Sequence, residues 1–280
     1  MTYPSAFFGR INVRYPGGVK HDSKAFGDLV QRLEASDTWH ERASNWDSWA
    51  VIANPKGMRE AVEWKDFLLP GVVAYSKPYG IYKVRQEPFR AHEGVLAAPF
   101  IIDTRSTGRW LAIAPQEPLS ARVVSKGLHY VLQSVTYSDT MWDIDLVWSV
   151  NRIRDWLRFH GRVEELAITL RYPNPYDDLS EDLAALIELK GQQEQRIMTA
   201  PREHGLDIKE KFLDKLAKLG EKGLIDVAAT ATTADATDRF DTRDFPDQDA
   251  IRHPKATLQE ALFLLAESFI GYLHKRGLSE

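Results

Sequence analysis

The hydrophobic pattern is sharpest between Glu165 and Asp178. Leu166, Ile168 and Leu170 alternate with other residues at the period of two that a half-buried strand needs. Pro173 and Pro175 cannot donate to a β-ladder, so the strand ends there. Asn174 favours a turn, and Asp177 or Asp178 can cap the helix predicted over Leu179–Met198.

The same reading extends along the chain. Phe7–Arg14 alternates like a strand, and Pro16-Gly17-Gly18 turns the chain. Phe26, Leu29, Val30 and Leu33 have helical spacing behind a cap at Asp22 or Ser23. Trp49–Ala53 predicts a short strand stopped by Asn54-Pro55. Gly71–Ser76 and Gly80–Arg85 predict two strands joined through Lys77-Pro78-Tyr79. Val95–Asp103 and Trp110–Ala114 predict another pair, joined through Arg105-Ser106-Thr107-Gly108.

Pro118-Leu119-Ser120 opens a helix that runs to Val135, with Val123, Val124, Leu128, Val131 and Leu132 as its apolar positions. Apolar residues at every second position predict a strand over Met141–Val150, and a short helix follows over Arg152–His160. Ile208–Leu219 reads as a helix, Leu224–Ala229 as a strand and Ala256–Lys275 as an apolar helix. Thr230–Asp249 is polar and reads as a loop, or as an exposed hairpin around Thr232–Asp238. Strands and helices without regular alternation predict an α+β fold. Its front, residues 1–150, is strand-rich and its back, residues 151–280, is helical; the two form separate parts or one continuous domain.

Composition narrows the classes. The chain has no cysteine, which excludes disulfides, thiolate chemistry and cysteine-ligated zinc. No apolar run is long enough to span a membrane, and Met1–Ala6 lacks the basic-then-apolar order of a secretory signal. The expectation is a cytoplasmic protein. The net charge of −4 conceals an asymmetry, +3 over residues 1–160 and −7 over 161–280. Neither half has the basic excess of a small dedicated nucleic-acid module, so phosphate binding requires local clustering.

The matched positions Leu166, Ile168, Leu170, Arg171, Pro173, Asn174, Pro175 and Asp178 carry a resemblance. Gly223-Leu224-Ile225-Asp226-Val227 and Phe240-Asp241-Thr242-Arg243 extend it. On these residues and the element order from Trp110 to Asp178, the chain resembles an uncharacterised bacterial domain family of similar length found in phage-defence settings. More remotely it is similar in length and layout to the RexA-type phage-exclusion and KwaB-type defence proteins. The resemblance covers half the chain and implies sequence-tolerant DNA binding, a homodimer and a sensor role; signalling to, or blocking, a second defence component is the action expected of such a protein.

Two basic clusters suit that role. The first is Lys77, Lys83, Arg85 and Arg90, interleaved with Tyr75, Tyr79, Tyr82 and Phe89. Basic side chains release counterions from phosphates, and aromatics stack on unpaired bases. The second is Arg152, Arg154, Arg158, Arg162 and Arg171. Arg154 and Arg158 share a helix face at i,i+4, and guanidinium matches two phosphate oxygens. Exposed hairpin charges and surface ion pairs are the competing readings.

Enzymatic alternatives have thinner support. Asp47 with Glu63-Trp64-Lys65 has the residue types of a metal-dependent nuclease, but Glu60–Asp66 reads as a polar helix rather than a strand. The histidines show no metal spacing, and neither Arg122 with His129 nor Arg154 with His160 completes a ribonuclease site. His160 reads as a residue complementing a helix C-terminus. No phosphate-binding glycine loop or nucleophile elbow occurs. Trp39, Trp46 and Trp49 are candidates for a partner surface or for the core, and a protein-interaction module is a further alternative. The sequence thus predicts a non-enzymatic DNA-binding regulator with no catalytic residue, metal or cofactor.

Overall fold

A computed structural model describes residues 2–14, 23–36, 39–42, 47–54, 67–84, 87–105, 109–136, 140–160, 162–171, 193–200, 205–221, 225–232, 237–251 and 256–277. Five helices and two sheets among them make the fold α+β. The chain divides into two compact units. Unit one comprises Met1–Val13, Asp22–Ile144 and Asp249–Glu280, and Asp145–Gln248 forms the bulk of unit two. The final helix therefore belongs with the front of the chain.

Unit one is built on an eight-stranded sheet. Its strands are β1 (Ser5–Arg14), β2 (His40–Arg42), β3 (Asp47–Ala53), β4 (Leu68–Val84), β5 (Glu87–Asp103), β6 (Trp110–Ile113), β7 (Met141–Leu146) and β12 (Gln248–Ala250). They run in the order β12-β1-β6-β5-β4-β3-β2, with β7 also paired to β1. Helices α1 (Ser23–Ala35) and α2 (Ala121–Ser134) pack against β3, and α5 (Leu258–Lys275) against β5 and β6. Residues 97–103 of β5 are all buried, as a strand covered on both faces must be.

Local chemistry explains the helix boundaries. The Ser120 side chain accepts from the Val123 N–H at the start of α2, and α2 ends at Ser134 with Val135 as its C-cap, one residue short of the predicted end. Thr257 and Glu260 form a reciprocal capping box at the start of α5. Trp49 is buried against α2, closely enough that a Cβ on Gly127 would lie 2.2 Å from its ring. Of the tryptophan trio, Trp49 is thus core and Trp39 is exposed, while Trp46 lies outside the described residues.

Unit two holds a four-stranded sheet in the order β11-β10-β8-β9. Its strands are β8 (Val163–Arg171), β9 (Gln193–Thr199), β10 (Ile225–Thr232) and β11 (Thr237–Asp241). In β10, Ile225, Val227, Ala229 and Ala231 are buried while the residues between them are partly exposed. That alternation commits one sheet face to helices α3 (Val150–Phe159) and α4 (Glu210–Glu221). Ile153, Leu166, Leu213, Leu216 and Phe240 join Trp148 in the shared core. The Trp148 indole N–H donates to the Ile225 carbonyl at 2.8 Å, which ties the α3 entry to β10.

Four expectations are corrected. Residues 193–198 form β9 rather than the end of a helix, because pairing with β8 overrides the helix propensity of Gln, Glu, Arg and Met; the earlier part of that predicted helix lies outside the described residues. Gly71–Ser76 and Gly80–Arg85 are not two strands but lie along the single long β4, with Arg85 outside the described residues. Register shifts on either side of Pro78 accommodate its missing N–H. The strand over Met141–Val150 ends at Leu146, after which Trp148 makes a lone bridge to Pro246 and Val150 begins α3. The polar stretch after Ala229 holds the β10–β11 pairing and β12, so the hairpin alternative describes it better than a loop.

Helix α2 gives a direct test of the packing. Gly127→Ala is expected to destabilise the chain by about 1–3 kcal/mol through overpacking against Trp49. Gly271→Ala in α5, where a Cβ meets nothing within 4 Å, is expected to stabilise by up to about 1 kcal/mol. Urea denaturation checks both; a neutral Gly127→Ala contradicts the packing described.

Candidate functional site

The helical layer of unit two is cationic. Residues 150–162 and 207–218 carry eight basic and four acidic side chains. Ile153, Trp156 and Leu157 turn α3 inward, leaving Arg152, Asp155, Arg158 and Phe159 exposed. Phe159 is 84% exposed, an extreme value for an aromatic side chain, and it stands beside Arg158. On α4, Lys211, Lys215 and Lys218 are exposed at helical spacing, forming one stripe.

Arg154 has a different role from its neighbours. Its guanidinium bridges to α4, reaching Glu210 at 3.0 Å and Asp214 at 2.5 Å. It holds the two helices together and is not free to grip phosphate. Arg158 has only a 4.0 Å approach to Asp155, and both side chains are exposed. Arg152 makes no ion pair among the described residues, and Arg162 is exposed. Arg171 ends β8 opposite Gln193. In unit one, Lys83 pairs with Pro88 and Arg90 with Ile81 along the β4–β5 hairpin, and Lys77 lies in β4 beside the register shift. The side chains of Lys77, Lys83, Arg90 and Arg171 lie outside the described residues, as Arg85 does entirely.

At the end of α3, His160 is nearly buried. Its Nε2 lies 2.8 Å from Asp238 Oδ2 and its Nδ1 lies 3.1 Å from the Trp156 carbonyl. The Trp156 indole N–H donates to the same Asp238 oxygen at 3.2 Å, and its ring stacks on the imidazole. Both ring nitrogens thus lie within hydrogen-bond distance of an oxygen. This clamp joins α3 to β11, a tertiary tie beyond complementing the helix end.

The other face of the small sheet is open among the described residues and encloses about 430 Å³. Its middle row is Ile197, Ala167, Ala228 and Asp241, one residue from each strand. One flanking row is Thr199, Glu165, Thr230 and Arg239; the other is Gln195, Thr169 and Asp226. Small alanines between longer polar side chains make a trough that crosses the strands. A register shift between Thr230 and Ala231 puts Glu164 beside Glu165 on this face, where it accepts from the Thr232 hydroxyl at 2.8 Å.

Asp241 and Arg243 close one end of the trough with a forked pair. Arg243 donates through Nε to Asp241 Oδ1 at 2.8 Å and through Nη2 to Oδ2, while its backbone N–H donates to Oδ1 at 3.0 Å. Burial alone pushes the Asp241 carboxyl up, but the hydrogen bonds and charge of Arg243, with the charge of Arg239, hold it below the usual carboxylate range. The same tripeptide recurs as Asp103-Thr104-Arg105, where Arg105 forks onto Asp103 in the same way at the end of β5. The Asp-Thr-Arg fork is therefore a turn-closing device used twice. Glu165 and Arg239 differ, since neither side chain makes an ion pair among the described residues.

The lysine stripe and the trough were absent from the sequence reading. The spacing of Lys211, Lys215 and Lys218 was available as a signal; the trough depends on the register of four strands. Glu63 and Lys65 of the nuclease alternative lie outside the described residues, and Asp47 begins β3. Among the described residues, no three His, Asp or Glu side chains are grouped to hold a metal ion, and no helix is long and apolar enough to cross a membrane.

A family model described as a domain of unknown function, DUF4747, matches residues 97–267. No curated protein matches the chain.

The fork makes a pH-dependent prediction. Arg243→Gln is expected to cost about 1 kcal/mol near neutral pH, a modest figure because the guanidinium is half exposed. Folded Asp241 titrates below its unfolded value, so this contribution is complete above about pH 4 and is lost as pH falls through the folded value. In urea denaturation between about pH 7 and pH 2, the gap between wild type and variant should close towards acid. A gap that stays constant contradicts the assignment.

Proposed function

The chain belongs to the DUF4747 family, and we propose that it is a non-enzymatic nucleic-acid-binding protein acting as a sensor or regulator in anti-phage defence. The observation that carries the binding role is the cationic helical layer of unit two, with basic side chains outnumbering acidic ones by eight to four. Arg152, Arg158 and Arg162 on the α3 side and Lys211, Lys215 and Lys218 on α4 contact the phosphate backbone of duplex DNA. Contacts of this kind position the protein without reading sequence. Phe159, exposed beside Arg158, adds an apolar surface for a sugar or an unpaired base.

Arg154 supports the contact indirectly, by holding α3 to α4. Lys77, Lys83, Arg85 and Arg90 supply a second basic set, and Arg171 lies on β8 rather than in the helical layer. The defence setting and the homodimer rest on the resemblance of the strand–Arg-x-Pro-Asn-Pro stretch, not on this geometry, and a second defence component is the target of the regulatory role.

The test is the salt dependence of duplex binding. Each phosphate contact adds about 0.9 to the slope of log affinity against log salt. Lys211→Glu with Lys215→Glu is expected to reduce affinity at moderate salt by about tenfold or more and to flatten that slope by about two. Arg154→Ala should leave the slope in place while lowering stability. An unchanged slope in the lysine variant contradicts the proposal.

A further inference from the structure

The Phe159 ring takes no part in the described core of unit two. Ile153, Trp156 and Leu157 of α3 join that core, whereas Phe159 is 84% exposed. Its ring meets the His160 imidazole edge-on, with 4.9 Å between ring centroids. His160 is in turn fixed by Asp238, by the Trp156 carbonyl and by the stacked Trp156 ring. The phenyl ring is therefore braced at its base and leaves a π-face bare. Its surroundings are cationic, because α3 carries three arginines and one carboxylate. Arg152 lies seven residues before Phe159, close to two full turns, so the two share a stripe about 10 Å long. Arg158 adjoins the ring and is exposed; Asp155 approaches it only at 4.0 Å, a contact that contributes little in water. We infer that the helical layer recognises DNA with unpaired bases, a duplex that carries a single-stranded arm, and that Phe159 is the platform on which one base of that arm stacks.

The ligand class is narrower than in the nucleic-acid reading above, on which it rests. In a closed duplex the base faces lie against one another and only the base edges reach the grooves. Phe159 would there meet sugar and phosphate alone. An unpaired base offers a π-face, and every base has one, so the ring selects strandedness rather than sequence. Arg158 beside the ring and Arg152 two turns back are placed for phosphates on either side of the stacked base. The brace on His160 holds the ring before the ligand arrives, which lowers the ordering cost of binding. The duplex part lies along α4. Arg154 reaches Glu210 and Asp214 near the start of α4, while a Cβ on Gly220 at its end would lie 2.4 Å from the ring of Trp148, just before α3. The two helices therefore run antiparallel, and Lys211 is the lysine of the stripe nearest the Phe159 end of α3. An apolar protein partner calls for a contiguous apolar patch, whereas Phe159 stands among Arg152, Asp155 and Arg158, all exposed.

The probes are three labelled DNAs, followed by fluorescence anisotropy with the full chain. One is a blunt duplex. The second is the same duplex with a single-stranded arm of about eight nucleotides, and the third has that arm made abasic, with its phosphates but no bases. The natural arm is expected to bind more tightly than the abasic arm by about fivefold or more, the stacking of one base. Phe159→Ala should make the two arms equal. Thermal melts confirm that the variant folds, and the comparison on the wild-type chain needs no variant. The inference is overturned if the abasic arm binds as well as the natural one. It is also overturned if Phe159→Ala keeps the preference, as it would were the ring reserved for a protein partner. Should the blunt duplex still bind with its salt slope in either case, the nucleic-acid reading stands and only the platform falls. No salt-dependent binding to any of the three DNAs overturns both.

Discussion

One-sided burial of the small sheet is the constraint on which the rest of unit two depends. Ile225, Val227, Ala229 and Ala231 face α3 and α4, so Asp226, Ala228, Thr230 and Thr232 must face away. A slip of one residue in the β8–β10 register would exchange the two sets. Trp148 fixes the arrangement by filling the core and by donating to the Ile225 carbonyl.

This division separates two kinds of chemistry. The helical layer collects basic side chains around an exposed phenylalanine, and the opposite face collects carboxylates around an alanine floor. Some charge is consumed in holding the layers together. Arg154 joins α3 to α4, and His160 with Trp156 joins α3 to β11 through Asp238. Such half-exposed ties contribute modestly to stability, yet they decide which guanidinium groups can meet a partner.

Much of the fold was legible in periodicity. The β8 strand, α2 with its Ser120 cap and the final helix all follow from residue spacing. The β9 strand was not legible, because its residues favour a helix locally and become a strand only by pairing with β8. The site was less legible. Arg154 and Arg158 look equivalent at i,i+4 spacing, and only α4, some sixty residues later, separates them. The twin Asp-Thr-Arg forks are visible as a repeated tripeptide, but their geometry shows Arg243 to be committed to its own turn. Glu165, Thr230 and Arg239 are brought into one row by pairings between β8, β10 and β11.

The proposed nucleic-acid contact lies on one side of the small sheet only. Backbone amide chemical shifts of the full chain, followed during titration with a short DNA duplex, test that most directly. The account predicts shift changes in α3 and α4, around Arg158, Phe159, Lys211 and Lys215, with Ala167, Ala228 and Thr230 unmoved. Changes centred on Ala167, Ala228 and Thr230, with α3 and α4 silent, would contradict it.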